Sequence, residues 1–168
     1  MHLRPACFAL CLPLALALGA CAAATPPDAG RVAHSPVATP SLLPVEMHKH
    51  PSCGCCGLWA AHLREAGFSV SEHHHQDMAA VKDAHGVPMP LASCHTAKVG
   101  DYFVEGHVPA ADIARLLAER PDARGLAVPG MPIGSPGMAH PDGHAEPYRV
   151  LLVLRDGSTR EFSRHPAD

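Results

Sequence analysis

Apolar and polar positions change rhythm several times between residues 45 and 165, and each change marks an element. Val45 to Lys49 reads as a short strand that stops at Pro51. After Cys56 the spacing becomes helical, with Leu58, Trp59, His62, Leu63 and Ala66 broadly on one side and Gly67 as the stop. Phe68 to His74 returns to strand character. Asp77 is placed to cap a second helix through Ala84, closed by Gly86. Val87-Pro88-Met89-Pro90 is expected to be irregular, because proline removes a donor and restricts the residue before it. Thr96 to Val99 and Tyr102 to Glu105 flank Gly100-Asp101, which suits a two-residue hairpin turn. Pro109 opens a third helix carrying Ile113, Leu116 and Leu117, ended at Pro121. Tyr148 to Leu154 and Ser158 to Phe162 flank Asp156-Gly157, a second hairpin signal. Val150 to Leu154 is apolar throughout, so that strand is expected to be buried on both faces.

The order strand-helix-strand-helix-strand-strand-helix is that of a thioredoxin-like domain, and parallel strands joined by helices call for a layered α/β arrangement. The expectation is one thioredoxin-like domain over residues 44–165 with an additional C-terminal β-hairpin. Residues 22–43 are rich in Ala, Pro, Thr and Ser without periodicity and read as a semi-extended tether. Ahead of them, Arg4 precedes an apolar run from Ala6 to Ala20, interrupted by Pro13. That run is shorter than the roughly 20 residues a spanning helix needs, and it reads as the core of a secretory signal over residues 1–21. It ends Leu18-Gly19-Ala20-Cys21, which resembles a bacterial lipobox and so implies lipidation of Cys21. Ordinary cleavage at the small-x-small site Ala20-Cys21-Ala22 is the alternative. Both point to export, hence a periplasmic protein that meets the membrane only through a lipid anchor.

Composition narrows the function. Net charge is −3 with histidine neutral, aromatics are 4%, and no Lys/Arg run occurs, so neither an electrostatic footprint nor a stacking platform for nucleic acid is present. Fourteen histidines and six methionines are a heavy load of metal donors for 168 residues.

The cysteines carry the chemistry. Cys53-Gly54-Cys55-Cys56 sits just before the first helix, whose N-terminal end favours thiolates, and Cys94-His95 follows some forty residues later. In an oxidising compartment bare thiols tend to pair, so keeping four reduced needs a reductase or a metal. Cu(I) is soft and prefers thiolate and thioether, which favours a copper site, with a polynuclear copper-thiolate cluster conceivable. Zinc is the rival, since four sulfurs at about 2.3 Å make a closed tetrahedral site. Zinc frameworks, however, usually split their ligands between two knuckles, and here three crowd into one. A second reading is redox: Cys53 and Cys56 form a Cys-x-x-Cys pair where disulfide oxidoreductases carry theirs. A third is structural, a bridge from Cys94 to the cluster stabilising by about 2–4 kcal/mol.

Several segments together look like the CopG-like periplasmic proteins associated with bacterial copper resistance. They are His48-Lys49-His50-Pro51-Ser52-Cys53-Gly54-Cys55-Cys56-Gly57-Leu58-Trp59, Gly86-Val87-Pro88, Leu91-Ala92-Ser93-Cys94-His95-Thr96, Glu105-Gly106-His107-Val108-Pro109-Ala110 and the Gly-Met-Pro-x-Gly-Ser-Pro-Gly-Met loop. The resemblance covers roughly residues 45–163. It implies a thioredoxin-like fold with copper held by Cys53, Cys55, Cys56 and Cys94. His50, where a small residue is expected, and the His73-His74-His75 run depart from the pattern without touching the thiols.

Secondary candidates surround the thiols. His95 is placed either to face the cluster or to hydrogen-bond the strand end. Met131 and Met138 carry thioethers on a proline-stiffened loop that can close over the site as a lid, the plainer reading being gap-filling in the core. His73 to His75 read as a solvated strand edge, and His140 and His144 as part of a flexible tail or a Cu(II) scavenger. Glu105, Asp112 and the other carboxylates show no pairing at the spacing hydrolysis needs. The expected partners are copper ions and other periplasmic copper-handling proteins.

Overall fold

A computed structural model describes residues 43–166. The expected export signal with Cys21, and the tether up to residue 42, lie outside the described residues. The chain runs β1 (Val45–Lys49), α1 (Gly54–Glu65), β2 (Val70–His74), α2 (Met78–Ala84), β3 (His95–Val99), β4 (Tyr102–Glu105), α3 (Ala110–Glu119), β5 (Ala123–Ala127), β6 (Tyr148–Leu154) and β7 (Thr159–His165). A single 3-10 turn, Met89–Leu91, occupies the proline-rich stretch where no regular element was expected. The seven strands among the described residues form one sheet in the order β2-β1-β3-β4-β5-β6-β7, giving a mixed α/β fold.

Local chemistry sets these elements. Asp77 caps α2 by accepting from the Ala80 N–H at 3.0 Å. The Gly100-Asp101 turn leaves β3 and β4 antiparallel with Val99 opposite Tyr102. β6 is an inner strand whose Val150 and Leu152 join the main core while Val153 packs on the other face, so it is buried from both sides.

One strand was not expected. β5 runs parallel to β4 after the α3 crossover, and it joins the C-terminal hairpin β6–β7 to the same sheet. Its sequence, Ala-Arg-Gly-Leu-Ala, lacks the β-branched run that signals a strand. Gly125 is required there by contact: it lies opposite Phe103, and a Cβ at this position would run into the Phe103 carbonyl.

The main core lies between one sheet face and α1 and α3, where Val45, Met47, Ala97, Val99 and Val104 meet Trp59, Leu63, Ile113 and Leu116. The opposite face carries α2 and a buried polar group. Lys82 of α2 reaches Glu105 Oε1 at 2.6 Å and Thr96 Oγ1 at 3.1 Å. Thr96 Oγ1 donates to Glu105 Oε2 at 2.6 Å, and the Ser93 N–H donates to Oε1 at 2.5 Å. The Glu105 side chain is 0% exposed and Lys82 6%, so this ion pair is held away from water with its acceptors satisfied. Its effect is positional, because it clamps the residue immediately before Cys94.

Two expectations follow. Gly125→Ala should lower stability by about 1–3 kcal/mol or more, read as a fall in the urea midpoint at constant slope. An unchanged midpoint would mean that β4 and β5 are not in close backbone contact. Lys82→Met should cost about 3–5 kcal/mol, since it leaves the Glu105 charge buried without its partner. A loss near zero in the same assay would contradict the buried pair.

Candidate metal centre

Cys53 is the N-cap residue of α1, and Cys55 and Cys56 lie in its first turn. Three sulfurs therefore crowd at one helix end, with Cys56 buried beneath the other two. Cys94 arrives from the entrance to β3, placed by the Ser93–Glu105 bond. One sulfur from each of Cys53, Cys55, Cys56 and Cys94 lies within 4.8 Å of the other three, a spacing at which all four can share an ion or compact cluster. Cys53 Sγ and Cys55 Sγ are 3.6 Å apart, as are Cys56 Sγ and Cys94 Sγ.

Cys53 and Cys56 are joined in a disulfide, and Cys55 and Cys94 are free. The bridge expected from Cys94 under the structural reading is thus not the one formed. A three-residue separation across the first helical turn brings the Cα atoms of Cys53 and Cys56 to 5.5 Å, within ordinary disulfide reach. Burial first, then the proximity of Cys55, pushes the Cys94 thiol up to about 12, so this sulfur carries its proton when no cation faces it.

Histidines complete the group. His95 is fully buried, its ring 4.3 Å from that of Trp59, with Nδ1 3.3 Å from Cys94 Sγ. Its Nε2 is buried without a partner, and burial, helped by His107 and by the charges of Lys82 and Lys49, holds it well below the usual histidine range. His95 therefore faces the cluster as a neutral ring.

His107 was not among the residues expected at the site, although it lies in the quoted Glu-Gly-His-Val-Pro segment. It is completely buried, with Nε2 2.9 Å from Cys94 Sγ and Nδ1 2.7 Å from the Pro136 carbonyl oxygen. A carbonyl only accepts, so Nδ1 carries the proton and Nε2 turns its lone pair toward Cys94. Burial lowers its pKa and keeps it neutral. Metal-binding histidines typically have this second hydrogen bond to a carbonyl. Cys94, His95 and His107 form a second group of donors within 4.8 Å, sharing Cys94 with the first. The only sequence signal for His107 was a histidine flanked by Gly and Val-Pro, which does not locate it in space.

The turn carrying His107 is tied to α1 from both sides. Trp59 Nε1 donates to the Val108 carbonyl at 2.9 Å, and the Ala110 N–H donates to His62 Nε2 at 3.1 Å. The methionine loop lies over the same helix end. Gly137 has φ of +83°, and a Cβ there would stand 2.8 Å from the Trp59 nitrogen and 2.9 Å from the Cys55 carbonyl oxygen. Ser93 Oγ also donates to the Gly130 carbonyl, which fastens the loop to the Cys94 segment. On this loop Met131 is 51% exposed, whereas Met138, next to Gly137, is half-buried. The loop is therefore seated on the site, and Met138 is the methionine nearer in sequence to the contact.

Away from the sulfurs, His140 and His144 lie exposed, with His140 bound to Asp142 at 2.5 Å.

Residues 91–138 match the model of a family described as a protein of unknown function, DUF411. No curated protein matches the chain. Two solved structures are similar, described as copper resistance protein CopG, form 2 and form 1. The first is 46% identical with a TM-score of 0.71, covering 74% of this chain and 99% of its own. The second is 46% identical with a TM-score of 0.70, covering 74% and 98%. Sequence identity and fold agree over essentially the whole length of those structures, and the chain belongs to the CopG copper-resistance family.

Proposed function

We propose that this chain is an exported, lipid-anchored copper-resistance protein that binds Cu(I) as cargo through Cys53, Cys55, Cys56 and Cys94. The observation that carries this reading is the approach of four sulfurs to within 4.8 Å of one another. Thiolates favour the cuprous ion, and a compact group of four exceeds what one two-coordinate Cu(I) needs. His95 and His107 border the group as neutral rings, and Met131 and Met138 supply thioethers from the loop above it. The strand and helix order from β1 to α3 is read as a thioredoxin-like domain, with β5 to β7 as its extension. Delivery to or from other periplasmic copper-handling proteins is the service that fits an exported cargo site.

The Cys53–Cys56 disulfide bears on how the site works. Four-sulfur binding requires that bond to be reduced, which takes two electrons and two protons. The same pair gives the site a means of changing copper valence. Two Cu(II) ions take one electron each from the Cys53 and Cys56 thiols, giving two Cu(I) ions, the disulfide and two protons. A second reading rests on this bond alone: a thiol-disulfide oxidoreductase acting on protein substrates through Cys53 and Cys56 at the helix N-terminus.

Anaerobic titration of the reduced protein with Cu(I) against a chelator, with Zn(II) in parallel, separates these ideas. The copper reading expects tighter binding of Cu(I), and a loss of about 10-fold or more in affinity for Cys55→Ser and for Cys94→Ser. Tighter zinc binding without a cuprous stoichiometry would overturn it. Undiminished disulfide exchange with a protein substrate in the doubly substituted protein would favour the oxidoreductase. Peptide mapping of the air-oxidised, unfolded protein should find Cys55 and Cys94 alkylated and Cys53 and Cys56 protected until reductant is added. Protection of Cys94 instead would mean a different pairing.

A further inference from the structure

Four histidines meet on the sheet face that looks away from the sulfurs. His48 alternates with Met47 on β1 and so projects to the α2 side. In the parallel β1–β2 pair His48 lies directly opposite His73, and His75, two residues further on, shares that face. The His75 N–H donates to the Lys49 carbonyl at 3.0 Å, which fixes its backbone. His85 is the C-cap of α2 and comes down onto the same spot. The His48 ring is at the centre, with ring centroids of His73, His75 and His85 at 5.1, 5.1 and 4.8 Å. His73 is exposed at the sheet edge, as a solvated edge would be, and His75 is half-buried; both lie on the His48 side of the sheet, while His74 alternates to the other.

One distance points to a ligand. His48 Nδ1 and His75 Nε2 are 3.0 Å apart. Two nitrogens each about 2.0–2.1 Å from one ion stand roughly 2.9–3.4 Å apart between right-angled and tetrahedral geometry, so this pair already has the required bite. His48 Nε2 is buried with no partner, one of two such side-chain atoms among the described residues, the other being His95 Nε2 at the sulfur site. Burial, then the nearness of His85, His73 and His75, lowers His48 to about 4, leaving a neutral ring. A neutral imidazole has one lone pair, so with Nδ1 turned to the ion beside His75 this buried Nε2 carries the ring's proton. His73 Nε2 is engaged only with the exposed Ser71 hydroxyl at 3.3 Å, so its ring can turn without breaking a buried bond. The nearby charges offset one another, since Glu46 lies opposite Lys98 across β1 and β3.

We propose that His48, His73, His75 and His85 form a second metal site, separate from the cysteines, that holds a borderline divalent cation through imidazole nitrogens. Imidazole suits copper, zinc and nickel, and among divalent ions of this row Cu(II) binds such donors most strongly. The chain then has a soft site for the cuprous ion on one sheet face and an imidazole site for the cupric ion on the other. This site stands whether or not the sulfur cluster holds copper.

The test uses the full chain with Cys7, Cys11, Cys21, Cys55 and Cys94 each changed to Ser, leaving Cys53 and Cys56 in their disulfide so that no thiol reduces the probe. Cu(II) alone is titrated in, with the nitrogen splitting of its electron paramagnetic resonance spectrum as readout, and Zn(II) alone is titrated by calorimetry. One Cu(II) should bind with imidazole splitting, and more tightly than zinc. His73→Gln on the edge strand with His75→Gln just past its end, both tolerable to the fold, should weaken Cu(II) by about 10-fold or more. His48→Gln should do the same, with circular dichroism checking that it folds. His140→Gln with His144→Gln should leave binding unchanged. Absence of stoichiometric Cu(II) binding overturns the proposal. So does full affinity in the folded His73/His75 variant, or loss of the ion from the His140/His144 variant.

Discussion

The Glu105 carboxylate, buried where β3, β4 and α2 meet, accepts hydrogen bonds from Lys82, Thr96 and the Ser93 backbone, and the geometry of the sulfur site depends on it. A lone carboxylate in such a place would be costly, but two donors and a cation satisfy it. Because one of those donors belongs to the residue before Cys94, the bond fixes where that thiol enters the core. From the other side, Trp59 and His62 hold the turn that carries His107 against α1. The donors are positioned by packing and by polar anchors of the fold itself. A site held in this way is ready for an ion without rearranging its backbone.

The same sulfurs support two states. With Cys53 and Cys56 joined, Cys55 and Cys94 remain as thiols, and burial keeps the Cys94 proton in place. With that bond reduced, four donors face one another. A cation held there would have to displace the proton of Cys94, and the lone pair of His107 lies close enough to receive it or to join the ligand set. The seated methionine loop limits access to this exchange, since Pro136 and Gly137 lie directly against His107 and α1.

The sheet also separates two groups of donors. The thiols, with His95 and His107 beside them, collect on the face covered by α1 and α3, at the head of a helix. Imidazoles from β1, β2 and the end of α2 collect on the opposite face. Strand alternation produces this separation, because Met47 and Lys49 point one way and His48 the other.

Local pattern was enough to place β1 through α3 and the final hairpin, because alternation, caps and proline or glycine stops act within a few residues. That the Cys53-Gly54-Cys55-Cys56 cluster lies at a helix start was legible for the same reason, although the helix begins at Gly54 and takes Cys55 and Cys56 into its first turn rather than following them. β5 was not, because Gly125 is selected by the approach of Phe103, a contact made only once β4 lies beside it. Nor were His107 and the partners of His48, which are brought in from separate elements by the sheet register and the turn after β4. By itself the sequence determined which donors exist and which elements carry them. Only the tertiary structure decided which of them meet, since convergence of residues 53–56 with 94 and 107, or of 48 with 73, 75 and 85, comes from long-range pairing and packing that no local periodicity records.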